Sequence, residues 1–329
     1  MKLDQFRGCL LGGAAGDALG YTVEFVSESY IFSRFGPRGI TAYVPVKGQA
    51  RISDDTQMTF FTAEGLLMEG DPVKNIAACY RDWLITQRAE YPYGGKTNCR
   101  LMQVPELFAP RAPGLTCMSA IEAGCVGTME VPPNHSKGCG GVMRVAPIGL
   151  RFEPWEALWV AAQAAALTHG HPMGYIPAAA LAHMISALVR RDLSVREAAE
   201  AALAEVRIRF AGAEGLPEFL AMMERALALA ALEGNDLEAI HALGEGWVGD
   251  EALAIALYCA VKYEDDFDSA LIAAVNHKGD SDSTGAICGN ILGARLGLEG
   301  VPQKYRQGLE LSGLALRLAD DLFTVTKGV

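Results

Sequence analysis

The sequence predicts an all-α protein, built as a compact single-domain orthogonal helical bundle. Apolar positions recur at three- and four-residue spacing in segments rich in Ala, Leu, Glu and Met, which is the pattern of amphipathic helices. Strand signals are scarce, and the alternation of strand and helix that a doubly wound sheet requires is absent. Half of the residues are hydrophobic and a fifth are charged, so the chain can bury a sizeable core.

Six segments carry the clearest helical pattern, at residues 155–167, 176–190, 195–210, 217–232, 251–261 and 302–322. Ser194 and Asp250 precede two of them as cap or first-turn residues, and Pro302 opens the last one. Alanine is dense in several of these segments, and small side chains let helices approach one another closely. The best strand candidate, residues 39–44, stands alone.

Neither a flexible linker nor a shift in composition divides the chain, so we expect one domain over residues 1–329. The stretch 88–134 is rich in Pro and Gly and is long for a loop of a compact domain. Loops of this length are more often functional than idle.

The formal net charge is −11, which argues against a nucleic-acid groove dominated by phosphate contacts. If the ligand of such a chain is itself an anion, metal ions, helix N-termini or a few arginines must offset the repulsion. The charge therefore makes nucleic acid an unlikely partner and draws attention to places that could hold a cation.

The cysteines and the apolar segments indicate the compartment. The eight cysteines form no CxxC pair and several lie in apolar runs, as expected of reduced, buried thiols. The first residues lack the apolar stretch of a signal peptide, and the later apolar segments are interrupted before membrane-spanning length. We expect a cytoplasmic, monomeric protein without membrane contact.

Two acidic clusters stand at the starts of apolar helical stretches. Ser53–Thr56 precedes the stretch 57–67, and Gly279–Thr284 precedes the stretch 285–296. Capping alone is one explanation, since Asp and Ser are favoured there and each cap contributes about 1 kcal/mol. One cap needs only one acceptor, however, and buried carboxylates usually pair with cations or metals.

Carboxylate and hydroxyl oxygens are the ligands of hard divalent cations. A calcium-binding EF-hand loop starting at Asp280 would need glutamate at its twelfth position, which is Ile291. We therefore expect a dinuclear centre of two Mg²⁺ or Mn²⁺ ions in a central cleft. Four aspartates on two divalent cations leave no net charge, which is electrostatically reasonable.

The glycine-rich segment Gly8–Gly20 follows no strand and does not match GxGxxG, so a dinucleotide-binding loop is rejected. Its small residues at helical spacing predict a tightly packed helix that ends near Gly20. Glu24 follows between apolar neighbours. It is a candidate site residue, and a surface glutamate is the alternative.

A second glycine-rich segment, residues 134–144, has glycines at three of four positions and is followed by a helix-like run. Bare backbone N–H groups in such a loop can cradle a phosphate without cationic side chains, and an ordinary tight turn is the alternative. Cys139 lies within it, but nothing in the sequence supports a catalytic triad there. Nearby, His169 and His171 lack an identifiable third zinc ligand, so one site histidine and one structural histidine are expected.

Taken together, these segments resemble the ADP-ribosylglycohydrolase family. The pieces that match occur in the family's order and span nearly the whole chain: Gly8–Gly20 with Glu24, Ser53–Thr56, Ser136–Arg144, His169 and Gly279–Gly285. The resemblance implies an all-α fold, a dinuclear Mg²⁺ or Mn²⁺ centre, and hydrolysis of the bond between an acceptor and C1″ of ADP-ribose.

The resemblance also implies roles for individual residues. Metal ligands carry over to Ser53, Asp54, Asp55, Asp280, Asp282 and Ser283. Catalytic roles carry over to Glu24, Asp55 and Asp282. Contacts with the diphosphate and the ligand carry over to Ser136, Gly138, Cys139, Gly140, Gly141 and His169.

The favoured substrate is ADP-ribose linked to arginine of a modified protein, through an N-glycosidic bond. One alternative keeps the fold and changes the bond, to ADP-ribose on serine, to O-acetyl-ADP-ribose or to an ADP-ribosylated nucleobase. Another is a non-catalytic ADP-ribose-binding or structural relative, and a third is an unrelated two-metal phosphatase. Acceptor choice is expected to lie in residues 88–134, where Glu90, Tyr91 and Tyr93 are available.

Overall fold

Helices account for the regular structure of the chain. The computed structural model describes residues 1–328, and the three short 3-10 turns in it are Arg100–Gln103, Pro105–Leu107 and Cys139–Gly141. The α-helices, in chain order, are α1 (Leu3–Gly20), α2 (Glu28–Phe35), α3 (Asp54–Leu67), α4 (Pro72–Thr86), α5 (Leu115–Glu122), α6 (Ala146–Arg151), α7 (Pro154–Ala166), α8 (Pro172–Arg190), α9 (Val195–Arg209), α10 (Leu216–Ala230), α11 (Asp236–Leu243), α12 (Gly249–Lys262), α13 (Phe267–Val275), α14 (Ser281–Gly300), α15 (Gln303–Arg306) and α16 (Ser312–Lys327). Only isolated β-bridges occur within residues 1–328. The prediction of an all-α fold is confirmed.

Helices α1 and α14 pair closely because both present glycines at four-residue spacing, which places them on one face of each helix. Gly8 lies against Gly293, and Gly12 lies against Gly289. As the residue number increases along α1, the residue number of its contact on α14 decreases, so the two helices are antiparallel. This pairing joins the two ends of the chain and sets the end of α1 beside the start of α14.

Replacing Gly12 by alanine is expected to destabilise the fold. A Cβ atom at Gly12 would lie 2.5 Å from the carbonyl oxygen of Gly289, so the helices would have to separate. Overpacking of this kind typically lowers the free energy of unfolding by about 2 kcal/mol, which exceeds the gain of about 1 kcal/mol from alanine's helix propensity. Urea denaturation measures the difference. The matched control is Gly234→Ala, where a Cβ meets nothing within 4 Å; an equal effect of the two substitutions would contradict the close approach.

The strand candidate at residues 39–44 does not form a strand. A side chain provides the partner that a neighbouring strand would have provided. The Asn276 amide accepts a hydrogen bond from the Ile40 N–H at 2.7 Å and donates one to the Ile40 carbonyl at 3.0 Å. Farther on, the Tyr43 hydroxyl donates to the Tyr305 carbonyl at 3.0 Å, which anchors the irregular segment to the core.

The single helix predicted at residues 302–322 is interrupted. Gly308 and Leu311 both adopt positive φ angles, of 70° and 56°, which a right-handed helix cannot accommodate. The backbone between them pairs with Ala50 instead, through the Ala50 N–H to the Gly308 carbonyl at 2.7 Å and the Glu310 N–H to the Ala50 carbonyl at 2.9 Å. Periodicity did not reveal the break, because the pairing partner is distant in sequence.

Helix α8 is long and apolar enough to cross a membrane by length and composition. In the fold, α8 lies inside the protein, and 94% of its most apolar 18-residue stretch is buried. Small residues line its contacts with α7 and α12, where alanines are buried on both sides. The apolar length of α8 is therefore explained by its place in the core.

Candidate metal centre and active site

Carboxylates from opposite ends of the chain meet where α1 ends and α14 begins. The side chains of Glu24, Asp280 and Asp282 have oxygens within 4.8 Å of one another. Glu24 lies in the turn after α1, and the N–H of the next residue, Phe25, donates to the Gly279 carbonyl at 3.4 Å. The turn is thereby held against the second acidic cluster.

Capping is real at both helix starts, but it accounts for only one residue at each. The Ser53 hydroxyl accepts the Asp55 N–H at 3.1 Å at the start of α3. Asp280 accepts the Ser283 N–H at 3.2 Å at the start of α14. The buried carboxylates of Asp54, Asp55 and Asp282 need a further explanation.

The pKa values show that the two clusters act on each other. Burial raises the pKa of Asp55 well above its usual range, and the charges of Asp54 and Asp280 raise it further. The pKa of Asp282 is raised in the same way, first by burial and then by the charge of Asp55. Burial and the charges of Asp280 and Asp54 raise the pKa of Glu24 to about 8. The pKa of Asp54 also rises to about 8, chiefly through burial.

We call this group the five-acid centre. Its members are Glu24, Asp54, Asp55, Asp280 and Asp282. Within residues 1–328, none of them lies within 4.0 Å of a lysine, arginine or histidine nitrogen. Arg111, whose carbonyl accepts the Asp54 N–H, directs its guanidinium to Glu310 at 2.5 Å.

A divalent cation fits this centre on two observations. The four aspartates are buried and Glu24 is half-buried, without a cationic side chain to balance them, which is costly unless a cation binds. In addition, Asp55 Oδ2 is buried without a hydrogen-bond partner, and buried polar atoms in native folds normally have one. The donors are carboxylate oxygens, which suit Mg²⁺ and Mn²⁺.

Asp17 supports the first acidic cluster, and sequence reasoning missed it. It is fully buried on α1, and both of its carboxylate oxygens accept the Ser53 N–H at 3.0 Å. It also accepts the N–H of Thr56 at 3.1 Å and the Thr56 hydroxyl. A lone acid within a run of Gly and Ala is the signal that could have identified it, since a buried charge demands partners.

The glycine-rich loop lies beside His169 and is less open than the sequence predicted. The Gly138 N–H donates to the Ser136 hydroxyl at 3.3 Å, and the Cys139 N–H donates to the Trp247 carbonyl at 3.2 Å. These two N–H groups are therefore engaged inside the chain, and the prediction of a bare cradle is wrong for them. Glycine is required next in the loop, because a Cβ at Gly140 would lie 2.9 Å from the His169 ring.

Gly141 has a packing role. It is buried, and a Cβ at this position would meet the carbonyl oxygen of Gly174 on α8. The loop is thus pressed against the core on one side and faces His169 on the other.

A buried hydrogen-bond chain orients His169. Arg144 donates to the Thr168 hydroxyl at 2.6 Å, and that hydroxyl contacts His169 Nδ1 at 2.8 Å. Since Arg144 can only donate, the Thr168 hydroxyl directs its own proton to another acceptor, and His169 Nδ1 at 2.8 Å is nearer than the Ala165 carbonyl at 3.4 Å. Burial and the charge of Arg144 lower the pKa of His169 to about 3, so the ring is neutral. With Nδ1 accepting, Nε2 carries the proton and faces the loop as a donor.

His171 takes the structural role that the sequence left to one of the two histidines. Its Nδ1 accepts the Met173 N–H at 3.0 Å and caps α8. The two neighbouring histidines therefore have separate local partners.

Two aromatic rings stack at the surface, and one of them belongs to Phe25, the residue after Glu24. Phe25 and Trp247 stack with ring centroids 4.8 Å apart and an angle of 10° between the planes, and both are largely exposed. Of the three acceptor-binding candidates, Tyr91 packs edge-on against Phe108 at 5.4 Å, and no contact connects Glu90 or Tyr93 with the centre within the described chain. The part of 88–134 that reaches the centre is instead Gly114, whose N–H donates to Asp54 at 3.2 Å.

Comparison with known proteins shows the family. A family model described as ADP-ribosylglycohydrolase matches residues 1–329. The chain is 27% identical to the ADP-ribosyl-(dinitrogen reductase) glycohydrolase of Rhodospirillum rubrum, over 94% of this chain and 91% of that protein. It is 24% identical to the ADP-ribosylarginine hydrolase Tri1 of Pseudomonas putida, over 98% and 78%. A solved structure described as an ADP-ribosylglycohydrolase-related protein complex is similar with a TM-score of 0.65 and 25% identity, over 98% of both chains. Since the family model matches the whole chain, the chain belongs to the ADP-ribosylglycohydrolase family.

Proposed function

We propose that this protein is a divalent-metal-dependent hydrolase that releases ADP-ribose from arginine side chains of modified proteins by cleaving the N-glycosidic bond at C1″. The five-acid centre carries the proposal, because its four aspartates are buried, it lacks a cationic partner, and it contains an unpartnered oxygen on Asp55. Membership in a family of ADP-ribosyl hydrolases supports the reaction type. The eight free thiols are consistent with the proposed cytoplasmic location.

The side chains proposed to hold two Mg²⁺ or Mn²⁺ ions are those of Ser53, Asp54, Asp55, Asp280, Asp282 and Ser283. Bound Mg²⁺ or Mn²⁺ supplies Lewis-acid chemistry, which polarises substrate oxygens and makes water more acidic. The protein's own contribution is to hold these oxygens in place through the helix starts and Asp17. That arrangement is made before substrate arrives, so it does not have to be formed during the reaction.

Glu24 is suited to proton transfer at the leaving group. Without bound metal, burial and the neighbouring acids raise the pKa of Glu24 to about 8, and a carboxyl at this position can donate a proton to the departing nitrogen. Asp55 lies in the first turn of α3 and Asp282 in the first turn of α14. Either carboxylate can orient the attacking water. As the glycosidic bond breaks, positive charge develops on the sugar, and the remaining carboxylates stabilise it.

The diphosphate is assigned to the loop Ser136–Gly141 and to His169. The neutral imidazole presents Nε2–H toward this loop, so it offers a donor without adding a charge that would compete with the centre. The Ser136 hydroxyl, 3.3 Å from that of Thr116, is a second donor there.

Arginine is favoured as the acceptor by the chemistry around the centre. A guanidinium cation is attracted by the uncompensated acids, and it stacks well on flat aromatic rings such as those of Phe25 and Trp247. The P. putida relative is named for action on ADP-ribosylarginine, which supports the same choice.

Measuring ADP-ribose release from arginine-linked and serine-linked substrates in the presence of Mg²⁺ tests the proposal. We expect release from the arginine-linked substrate and loss of release when the metal is chelated. Release from the serine-linked substrate alone would refute the arginine assignment and favour the O-linked alternative. Retained activity after full chelation would refute the metal role.

Raising the pH from about 6.5 to about 8 is expected to destabilise the metal-free protein. The folded pKa values of Asp54 and Glu24, about 8, lie above their usual values of 3.8 and 4.5. The folded chain therefore holds protons that the unfolded chain has released, and stability is lost as the pH rises toward the folded pKa. For the fully buried Asp54 the loss is on the order of 1 kcal/mol. Below about 6.5 the buried histidines act in the opposite direction, since their pKa values are lowered.

Thermal unfolding in EDTA across this window measures the effect, and saturating Mn²⁺ should flatten the curve because the cations replace the protons. The variant Asp54→Asn should show a weaker pH dependence without metal. A melting temperature that rises from pH 6.5 to 8 in EDTA would be inconsistent with protonated acids in the folded centre.

A further inference from the structure

One thiol lies against Asp280 of the five-acid centre. Cys139 Sγ is 2.7 Å from Asp280 Oδ2 and 3.6 Å from Ser283 Oγ. Both partners are among the proposed metal ligands. The loop around Cys139 uses only its backbone, through the N–H bonded to Trp247, so the fold of the loop does not explain why a sulfur atom is placed here.

A second, independent observation points to a ligand at the same place. Asp55, 3% exposed, has an Oδ2 atom without a hydrogen-bond partner. A buried, unpartnered acceptor and a thiol in contact with Asp280 thus occur in the same acidic centre. Arg111, whose carbonyl accepts the Asp54 N–H, directs its guanidinium to Glu310.

Sulfur changes which cations such a centre prefers. A site built only from carboxylate and hydroxyl oxygens suits Mg²⁺ and Mn²⁺, whereas a thiolate favours Zn²⁺ and other thiophilic ions. We propose that Cys139 is a metal ligand of this centre, forming a sulfur–metal bond beside Asp280, so that the protein binds Zn²⁺ and Co²⁺ more tightly than an oxygen-only centre would. This inference rests on the proposed metal centre and adds a ligand to it.

The ligation step balances without a redox partner. The S–H bond of Cys139 breaks, the proton leaves to solvent, and the sulfur electron pair forms the bond to the cation. Zn²⁺ therefore competes with Mg²⁺ for the centre, and Cys139 sets the outcome of that competition.

Titrating Co²⁺ into the metal-free full-length protein tests the assignment, because a thiolate bound to Co²⁺ adds a charge-transfer band in the near ultraviolet. We expect the band in the wild-type protein, in the control variant Cys99→Ala, and not in Cys139→Ser. Cys99 is a suitable control since its backbone N–H bonds to Asp82 on α4, away from the centre. Calorimetry should show that Cys139→Ser weakens Zn²⁺ binding by at least about 10-fold and Mg²⁺ binding by less than about 3-fold.

The result separates the inference from the function on which it rests. Binding of Mg²⁺ and Co²⁺ without the band would overturn the role of Cys139 and leave the metal centre intact. Failure of both ions to bind would overturn the metal centre itself. Since Cys139→Ser could perturb the fold, alkylation of the wild-type protein gives a second measurement, in which Zn²⁺ should slow modification of Cys139 and Mg²⁺ should not. Equal protection by the two ions would contradict the sulfur bond.

Discussion

Replacing Asp54 and Asp55 together by asparagine is expected to abolish turnover while leaving the fold intact. Asparagine keeps an oxygen that can accept the Gly114 N–H, as Asp54 does now at 3.2 Å, and Ser53 still caps the helix. Both substitutions remove a ligand charge from the proposed metal centre. A fall of at least about 10³-fold in kcat/KM, or about 4 kcal/mol of transition-state stabilisation, is expected.

The melting temperature should move in a direction that distinguishes a metal centre from a structural network. Without metal, burial and the neighbouring acids raise the pKa values of Asp54 and Asp55, so these carboxyls resist ionisation and neutral asparagines should cost little stability. We expect the double variant to melt within a few degrees of the wild type in EDTA and to lose the stabilisation by Mn²⁺. The control is Asp71→Asn at the exposed start of α4, which should keep full activity. Unchanged turnover in the double variant would refute the metal role.

Replacing Asp17 by asparagine, in contrast, is expected to cause a large loss of stability. Both oxygens of Asp17 accept hydrogen bonds from Ser53, and one of them also accepts two from Thr56. The NH₂ group of asparagine would face these N–H and O–H groups and could not accept a hydrogen bond from them. At least one buried N–H would then remain unsatisfied. We expect the free energy of unfolding to fall by about 3 kcal/mol, and turnover to fall because the first acidic cluster is no longer held.

Urea denaturation and steady-state kinetics measure the two effects. The matched control is Asp320→Asn, which removes a carboxylate bonded to Arg7 at the surface and should change stability by about 1 kcal/mol or less. If Asp17→Asn were as mild as this control, Asp17 would not hold the start of α3.

The helices were predictable because helix formation depends on near neighbours. The stretch after Ser53–Thr56 and the stretch after Gly279–Thr284 both form where periodicity and capping indicated. The errors have a common cause. Residues 39–44 and the break between α15 and α16 take their backbone partners from Asn276 and Ala50, and no local pattern reveals a partner so far along the chain.

Residue types identified the members of the site but not their arrangement. The acids of the two helix starts and Glu24 were all named from the sequence, partly through family resemblance. The sequence did not reveal that Asp17 anchors one cluster, that Cys139 directs its thiol into the other, or that Phe25 stacks on Trp247. Each of these contacts joins residues that are far apart along the chain.

The sequence by itself determined the all-α class, the capped acidic starts of α3 and α14, and the family motifs, since these follow from local periodicity and residue chemistry. Only the tertiary structure decided that the acids share one buried centre. The physical reason is the glycine register of α1 against α14, which lets two backbones come close enough to set Glu24 beside Asp280.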